Sequence, residues 1–233
     1  FLVAFEEKPD IILEVDDDVF PSAGHALVDA HVRNLSCSDG ITVGCRSKWY
    51  NTMENLTLTH STMLYPRGHP YGQRTENERL TWKNSGYKCV LNMGLWTGCP
   101  DLDALTILYN GGMNGKCSIE ATGCQKDKII VGEGTYFPVC SMNTAFLKEI
   151  IPAFYQSYSN FMGIDRFDDI WSGVFIKKIV DHLGRRVSLG SPLVNHRKRP
   201  RDTFKDLRKE FEGMVINEKL WKVVDEIELE GST

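Results

Sequence analysis

The stretch Ile11-Ile12-Leu13-Glu14-Val15-Asp16-Asp17-Asp18 decides the fold. Its first five residues are a short, nearly continuous apolar run, the form of a strand covered on both faces, and the run stops abruptly in three carboxylates. Open α/β sheets bind ligands where strands deliver polar residues from their carboxyl ends into a crevice. Alternation along an extended chain puts Asp16 and Asp18 on one face and Asp17 on the other. Three adjacent carboxylates repel one another, so a fold keeps them only beside compensating charge. Two of them converging at a strand end suit a hard divalent cation that retains open positions for phosphate oxygens. The competing reading is a helix N-cap with surplus solvated charge.

Outward from this strand, the preceding residues read as the end of a helix. Phe1 reads as an internal start, with an upstream N-terminal portion expected to be lacking. Downstream, residues 26–35 suit a helix and 40–48 a strand. Residues 51–88 are polar with two turn signals, Tyr65-Pro66-Arg67-Gly68 and His69-Pro70-Tyr71-Gly72, and are expected to be a long functional loop. Apolar runs at 86–96 and 128–131 read as strands, the second closed by a Gly132-Glu133-Gly134 turn. Asn143 suits the cap of a helix with Phe146, Ile150 and Phe154 on its apolar side and a disturbance at Pro152. Asp168 or Asp169 opens a clearer helix that Gly184 stops, residues 186–189 suit a short strand, and 203–228 read as one or two amphipathic helices. Helices interleaved with strands make a mixed α/β fold.

The 233 residues are 42% hydrophobic and 25% charged, enough for one sizeable domain or two small ones. A net charge of −4 gives no general attraction to nucleic acid, and no apolar run approaches the length of a membrane span. The one basic stretch is His196-Arg197-Lys198-Arg199-Pro200-Arg201, either a solvated loop or a binder of diphosphate. Seven cysteines with no CxxC pair argue against a zinc ribbon or a full disulfide framework, so reduced thiols are expected. His196 is either structural, a phosphate contact or a third metal ligand; an imidazole ligand favours Mn²⁺ over Mg²⁺. Asp168 and Asp169 either cap their helix or touch sugar hydroxyls and accept a proton, with Trp171 offering a ring face.

Several stretches are similar to one family. Glu14-Val15-Asp16-Asp17-Asp18-Val19-Phe20 resembles the Asp-Asp-Asp-Cys-Phe segment of the reversibly glycosylated polypeptides, the plant UDP-arabinopyranose mutases, with Val19 in place of Cys. Arg67-Gly68-His69-Pro70, with Arg74 seven residues after Arg67, resembles the family's Arg-Gly-aromatic-Pro segment and its second arginine. Gly94-Leu95-Trp96, Pro100-Asp101-Leu102-Asp103-Ala104, Gly134-Thr135-Tyr136-Phe137-Pro138 and Arg166-Phe167-Asp168-Asp169-Ile170-Trp171 follow in family order. Residues 110–128 resemble nothing in it and read as a private insertion.

The resemblance implies a type-A glycosyltransferase-like fold, a Rossmann-like mixed sheet flanked by helices, as one nucleotide-sugar-binding catalytic domain over residues 1–233. It implies a UDP-sugar ligand, a Mn²⁺ or Mg²⁺ cofactor, a location in the cytoplasm or at the cytosolic face of the Golgi, and homo- or hetero-oligomers with related chains. The family's reversibly glycosylated arginine falls on Arg67 and the arginine needed for activity on Arg74. Asp16, Asp18 and His196 are then the metal ligands; Asp17, Trp96, Trp171 and Arg197 the substrate contacts; Arg67, Arg74, Asp168 and Asp169 the catalytic set. For both arginines, neutralisation of diphosphate without a covalent step is the plainer reading, because a guanidinium is a poor nucleophile. Both tryptophans have a plain alternative as core residues. The expected activity is interconversion of UDP-arabinopyranose and UDP-arabinofuranose. A metal-dependent glycosyltransferase and a non-catalytic scaffold are the alternatives.

Overall fold

A computed structural model describes residues 2–22 and 26–231, apart from the side chain of Leu2; Phe1, which carries the expectation of an internal start, lies outside them. The elements in chain order are α1 (Leu2–Glu7), β1 (Ile11–Val15), β2 (Val19–Pro21), α2 (Leu27–Ser36), β3 (Asp39–Cys45), β4 (Leu56–Leu58), β5 (Leu80–Gly86), β6 (Cys89–Gly98), α3 (Ala104–Tyr109), β7 (Ala121–Cys124), β8 (Lys128–Val131), β9 (Asn143–Leu147), α4 (Asp168–His182), β10 (Arg186–His196) and α5 (Thr203–Glu226). The fold is α/β: a large mixed sheet flanked by helices, the Rossmann-like arrangement expected. Strand order is β1-β9-β6-β10-β8-β3-β5, with β2 on β10, and β4 reaching β6 through β7.

The middle of the sheet is made by β6 and β10, which are parallel and buried along nearly their whole length, their polar members Asn92 and Ser188 hydrogen-bonded to each other inside it. Since β9 is antiparallel to both β1 and β6, the strands β1, β6 and β10 all run the same way. Their carboxyl ends therefore open on one side of the sheet. Gly94 keeps this layer thin: a Cβ there would sit 2.1 Å from Asn143 Nδ2 and 2.4 Å from the Pro192 carbonyl. A buried polar lattice joins α2 to the sheet. Asn92 Nδ2 donates to His31 Nδ1 at 2.9 Å, which leaves His31 Nε2–H to donate to Asn143 Oδ1 at 2.9 Å.

Three expectations are corrected. Asn143 opens a strand rather than a helix, because 143–147 pair with β1 on one side and β6 on the other. The 3.6-residue spacing arises since Ile150 and Phe154 come from and follow the 3₁₀ turn Lys148–Ala153, with Phe154 stacked on Phe146 at 3.7 Å. Residues 51–88 are not simply a loop; they include β4, β5 and two short 3₁₀ turns. The strand β5 escapes pattern reading because it is an exposed edge with no alternation of burial. Finally, β1 is not covered on both faces: Leu13 and Val15 are exposed, and among the described residues it is an edge strand beside β9. All seven cysteines are free, and among the described residues no helix is long and apolar enough to cross a membrane.

Candidate nucleotide-sugar site

The converging strand ends border a cavity of about 280 Å³. Glu14 near the end of β1 and Asp16 and Asp18 in the turn just beyond it contribute one wall. Asp101 comes from the segment after β6, His196 and Lys198 from the end of β10, and Asp168 and Asp169 from the first turn of α4. Ser141, Met142 and Gln156 fill between them, and Asp165, Arg166 and Arg201 stand at the α5 side. Asp17 points away, exposed, with Arg199 Nη2 donating to it at 3.4 Å.

Arg67 lies in this cavity, 8% exposed, and its guanidinium is shared by two carboxylates. Its Nε donates to both oxygens of Asp101 at 3.2 Å, while Nη1 and Nη2 donate to Oδ1 and Oδ2 of Asp169, each at 3.1 Å. Nη1 also donates to the Arg166 carbonyl. Burial works to lower the Arg67 pKa, but Asp101 and Asp169 outweigh it and hold the group well above its ordinary value. Burial likewise opposes charge on Asp101, and Arg67, Lys198 and Arg166 overcome it, holding this carboxyl down at about 2. The turn that presents Arg67 depends on Gly68. Its φ is +86°, and a Cβ there would meet Ile170 Cγ2 at 2.4 Å.

Arg166 is held in a left-handed conformation at φ 66°, with Nε 2.5 Å from Glu210 Oε1 and Nη1 3.8 Å from Asp206 Oδ2. Such a backbone costs on the order of 1–3 kcal/mol and persists where neighbours over-determine it. Here α5 supplies those neighbours.

The acidic wall carries more charge than its cations answer. Burial, with Asp16 and Asp169 beside it, pushes Glu14 up to about 7. Burial, with Asp169, Asp101 and Asp18, pushes Asp16 up to about 6. Glu14 Oε2 is buried and meets no hydrogen-bond donor among the described residues. His196 Nδ1 is 2.7 Å from the Cys99 carbonyl, which can only accept, so in the neutral ring the proton is on Nδ1 and the Nε2 lone pair is open. That lone pair faces Asp18 Oδ2 at 3.6 Å. Two acceptors facing each other beside surplus carboxylates are a donor set that fits a hard divalent cation. Among the described residues, no three His, Cys, Asp or Glu side chains form a ready-made metal cluster. Asp18 and His196 make a pair that leaves other positions open.

Several expected residues lie elsewhere. Trp96, 1% exposed, is in the core because β6 is covered on both faces, and Trp171 packs there against Phe167. Neither borders the cavity. Arg74 is outside it too: Nη2 donates to Asp103 Oδ2 at 2.9 Å, and the guanidinium stands 3.5 Å over the Tyr71 ring. Arg197 turns outward to Asn195 Oδ1 and the face of Phe20. Sequence reading gives no site role to Glu14 or Asp101, and reaches Lys198 only as a member of the basic stretch read as a solvated loop or a binder of diphosphate. Glu14 and Lys198 are the second neighbours of two residues it does single out, Asp16 and His196.

The Reversibly glycosylated polypeptide family matches residues 7–233. UDP-arabinopyranose mutase 1 of Arabidopsis thaliana is 31% identical over 223 residues, 91% of this chain and 55% of the relative. UDP-arabinopyranose mutase 2 of the same plant is 30% identical over 91% of this chain and 54% of its own length. UDP-arabinopyranose mutase 1 of Oryza sativa subsp. japonica is 29% identical over 91% of this chain and 54% of its own. The chain thus spans about half the length of the curated relatives it matches. With the family's acidic and Arg-Gly segments meeting in one cavity, and the match running through nearly all of the sequence, this chain belongs to the reversibly glycosylated polypeptide family.

Proposed function

We propose that this chain carries the reaction centre of a UDP-sugar mutase that interconverts UDP-arabinopyranose and UDP-arabinofuranose. The observation that carries the reading is the location of Arg67: the Arg-Gly arginine lies where the strand ends converge, clamped between Asp101 and Asp169. Asp18 and His196, with Asp16 alongside, would hold Mn²⁺ or Mg²⁺. A cation bound there supplies Lewis-acid stabilisation of the negative charge on departing UDP.

The chain's own residues do the rest. Arg67 stays protonated in its clamp, so it acts as a fixed positive donor beside the sugar, and nucleophilic capture would require its release from Asp169. Asp168 borders the cavity at the first turn of α4 and is the carboxylate assigned to the sugar hydroxyls. Ring contraction breaks the bond from the anomeric carbon to a UDP oxygen. The sugar 4-hydroxyl adds to that carbon and gives up its proton, and the bond to the pyranose ring oxygen breaks as that oxygen takes a proton. The same UDP oxygen then re-forms its bond to the anomeric carbon. The protein must therefore retain both fragments and exclude water while the anomeric carbon is electron-poor.

Acceptor-free incubation with UDP-arabinopyranose and Mn²⁺, resolved by chromatography, tests this. Furanose formed by wild type and lost in Asp18→Asn and Arg67→Ala is the expected result. Released UDP or sugar-labelled protein without furanose would replace the mutase by a transferase.

A further inference from the structure

We propose that Lys198 is the anion anchor of the cavity, the residue that takes a phosphate oxygen of a diphosphate-bearing ligand. The inference rests on the nucleotide-sugar reading of the site and adds the residue that holds its diphosphate.

Lys198 borders the cavity and is 7% exposed, yet its Nζ meets no hydrogen-bond acceptor among the described residues. An ammonium withdrawn from water without a partner is costly, and one that persists in a cleft awaits an oxygen from outside the chain. The other cations nearby are occupied: Arg67 by Asp101 and Asp169, Arg166 by Glu210, and Arg201 by Asp206 at 3.2 Å. Asp101, a carboxylate that attracts Lys198, already has both oxygens on Arg67.

Chain direction supports the assignment. His196, Arg197 and Lys198 leave β10 with the first and third facing the cavity and the second turned out to Phe20. The Arg197 amide donates to the Asp18 carbonyl at 3.0 Å, so the basic segment is tied by its backbone to the acidic one. The cavity therefore has an acidic side suited to a cation and a lysine at the adjoining segment. That is the charge arrangement a cation–diphosphate chelate requires. A lysine fits this place better than an arginine would, because it is a compact charge on a flexible stem with three donors and no planar demand.

Calorimetric titration of the full chain with inorganic pyrophosphate, run both without metal and with Mg²⁺, tests the anchor. Lys198→Met, Lys198→Arg and the exposed Lys219→Ala are titrated beside wild type, and UDP is titrated in parallel. Losing one charge-assisted contact predicts roughly tenfold or greater weakening in Lys198→Met, with Lys198→Arg restoring most of it and Lys219→Ala unchanged. Lys198→Gln replaces the methionine variant if that one does not fold. Pyrophosphate and UDP binding equal to wild type in folded Lys198→Met would overturn the anchor, reduce Lys198 to a counter-charge for Asp101, and leave the nucleotide reading standing. Lys198-dependent binding of pyrophosphate with no affinity for UDP would keep the anchor and sink the UDP-sugar reading. A folded wild type that binds neither, with or without Mg²⁺, would sink both.

Discussion

Arg67 and Asp169 meet edge to edge, Nη1 to Oδ1 and Nη2 to Oδ2 both at 3.1 Å, while Asp101 takes the Nε side of the same guanidinium. This fork-on-fork contact is among the stronger polar pairings because it is charge-assisted and geometrically fixed. All three side chains are largely withdrawn from solvent. Removing one partner of such a buried set leaves uncompensated charge and typically costs about 3–5 kcal/mol. Arg67→Ala, which strands two carboxylates, is expected in that range by urea unfolding. Asp169→Asn is expected to cost less, since Asp101 still holds the guanidinium. Equal losses in the two variants would contradict the asymmetric clamp.

Arg74 is expected to act through the fold of the Arg67 segment. Its partner Asp103 is 1% exposed and also caps α3 by accepting from the Thr106 amide at 2.7 Å. Tyr71 donates its hydroxyl to the same carboxylate at 2.8 Å. A double-mutant cycle of Arg74→Ala and Asp103→Ala should give a coupling of about 0.5–3 kcal/mol, the range for residues in one network. In turnover, Arg74→Ala should lower kcat and leave KM for the UDP-sugar unchanged. A raised KM with kcat intact would instead make Arg74 a substrate contact.

Much of the frame was readable from the residues because local chemistry and tertiary position agreed there. The run 128–131 is a strand, Asp168 opens a helix, and Gly184 ends it at φ 64°. The acidic run faces as expected, Asp16 and Asp18 in and Asp17 out, although a turn after β1 rather than extended chain places them. What the residues hide is pairing at a distance. Nothing near Asn143 shows that β1 and β6 will claim its segment from both sides, so a helix-like spacing misleads. Arg74 stands seven positions from Arg67 and looks equivalent to it, yet Asp103 draws it out of the cavity. Asp101 reads as loop chemistry until the fold brings it to Arg67.

Acid sensitivity should separate two buried histidines from the acidic wall. Burial, with Arg74 nearby, pushes His69 down to about 3, and burial lowers His31 against the pull of its bond to Asn143. The unfolded chain protonates near the ordinary value of 6.5. Below that pH the unfolded state takes up protons that the fold refuses, so stability falls at about 1.4 kcal/mol per pH unit per histidine. For His69 the window runs from 6.5 down to about 3. Glu14 works the other way: its raised pKa makes the fold relatively more stable as pH drops from about 7 towards 4.5. The net slope is thus blunted, and a variant is needed to expose the histidine part. His69→Phe keeps the ring against Trp49 and Tyr65 but cannot titrate. Urea midpoints of this variant should fall less steeply than wild type below the histidine range. Parallel profiles would mean His69 is not held neutral.

Divalent cation should stabilise the protein through Asp18 and His196. Their facing acceptors are 3.6 Å apart, and the bond to Cys99 fixes the imidazole so that Nε2 cannot also present a proton while the ring is neutral. A ligand that binds only the folded state adds about 2.7 kcal/mol at a hundred times its dissociation constant. For a chain of this size that corresponds to a rise of roughly 5–11 °C in Tm. Mn²⁺ should produce it, EDTA should reverse it, and both Asp18→Asn and His196→Ala should abolish it. Asp17→Asn is the discriminating control, because that carboxylate points to solvent beside Arg199. If Asp17→Asn removes the shift while Asp18→Asn keeps it, the cation sits outside the cavity. The charge surplus on Glu14 and Asp16 would then need a different answer.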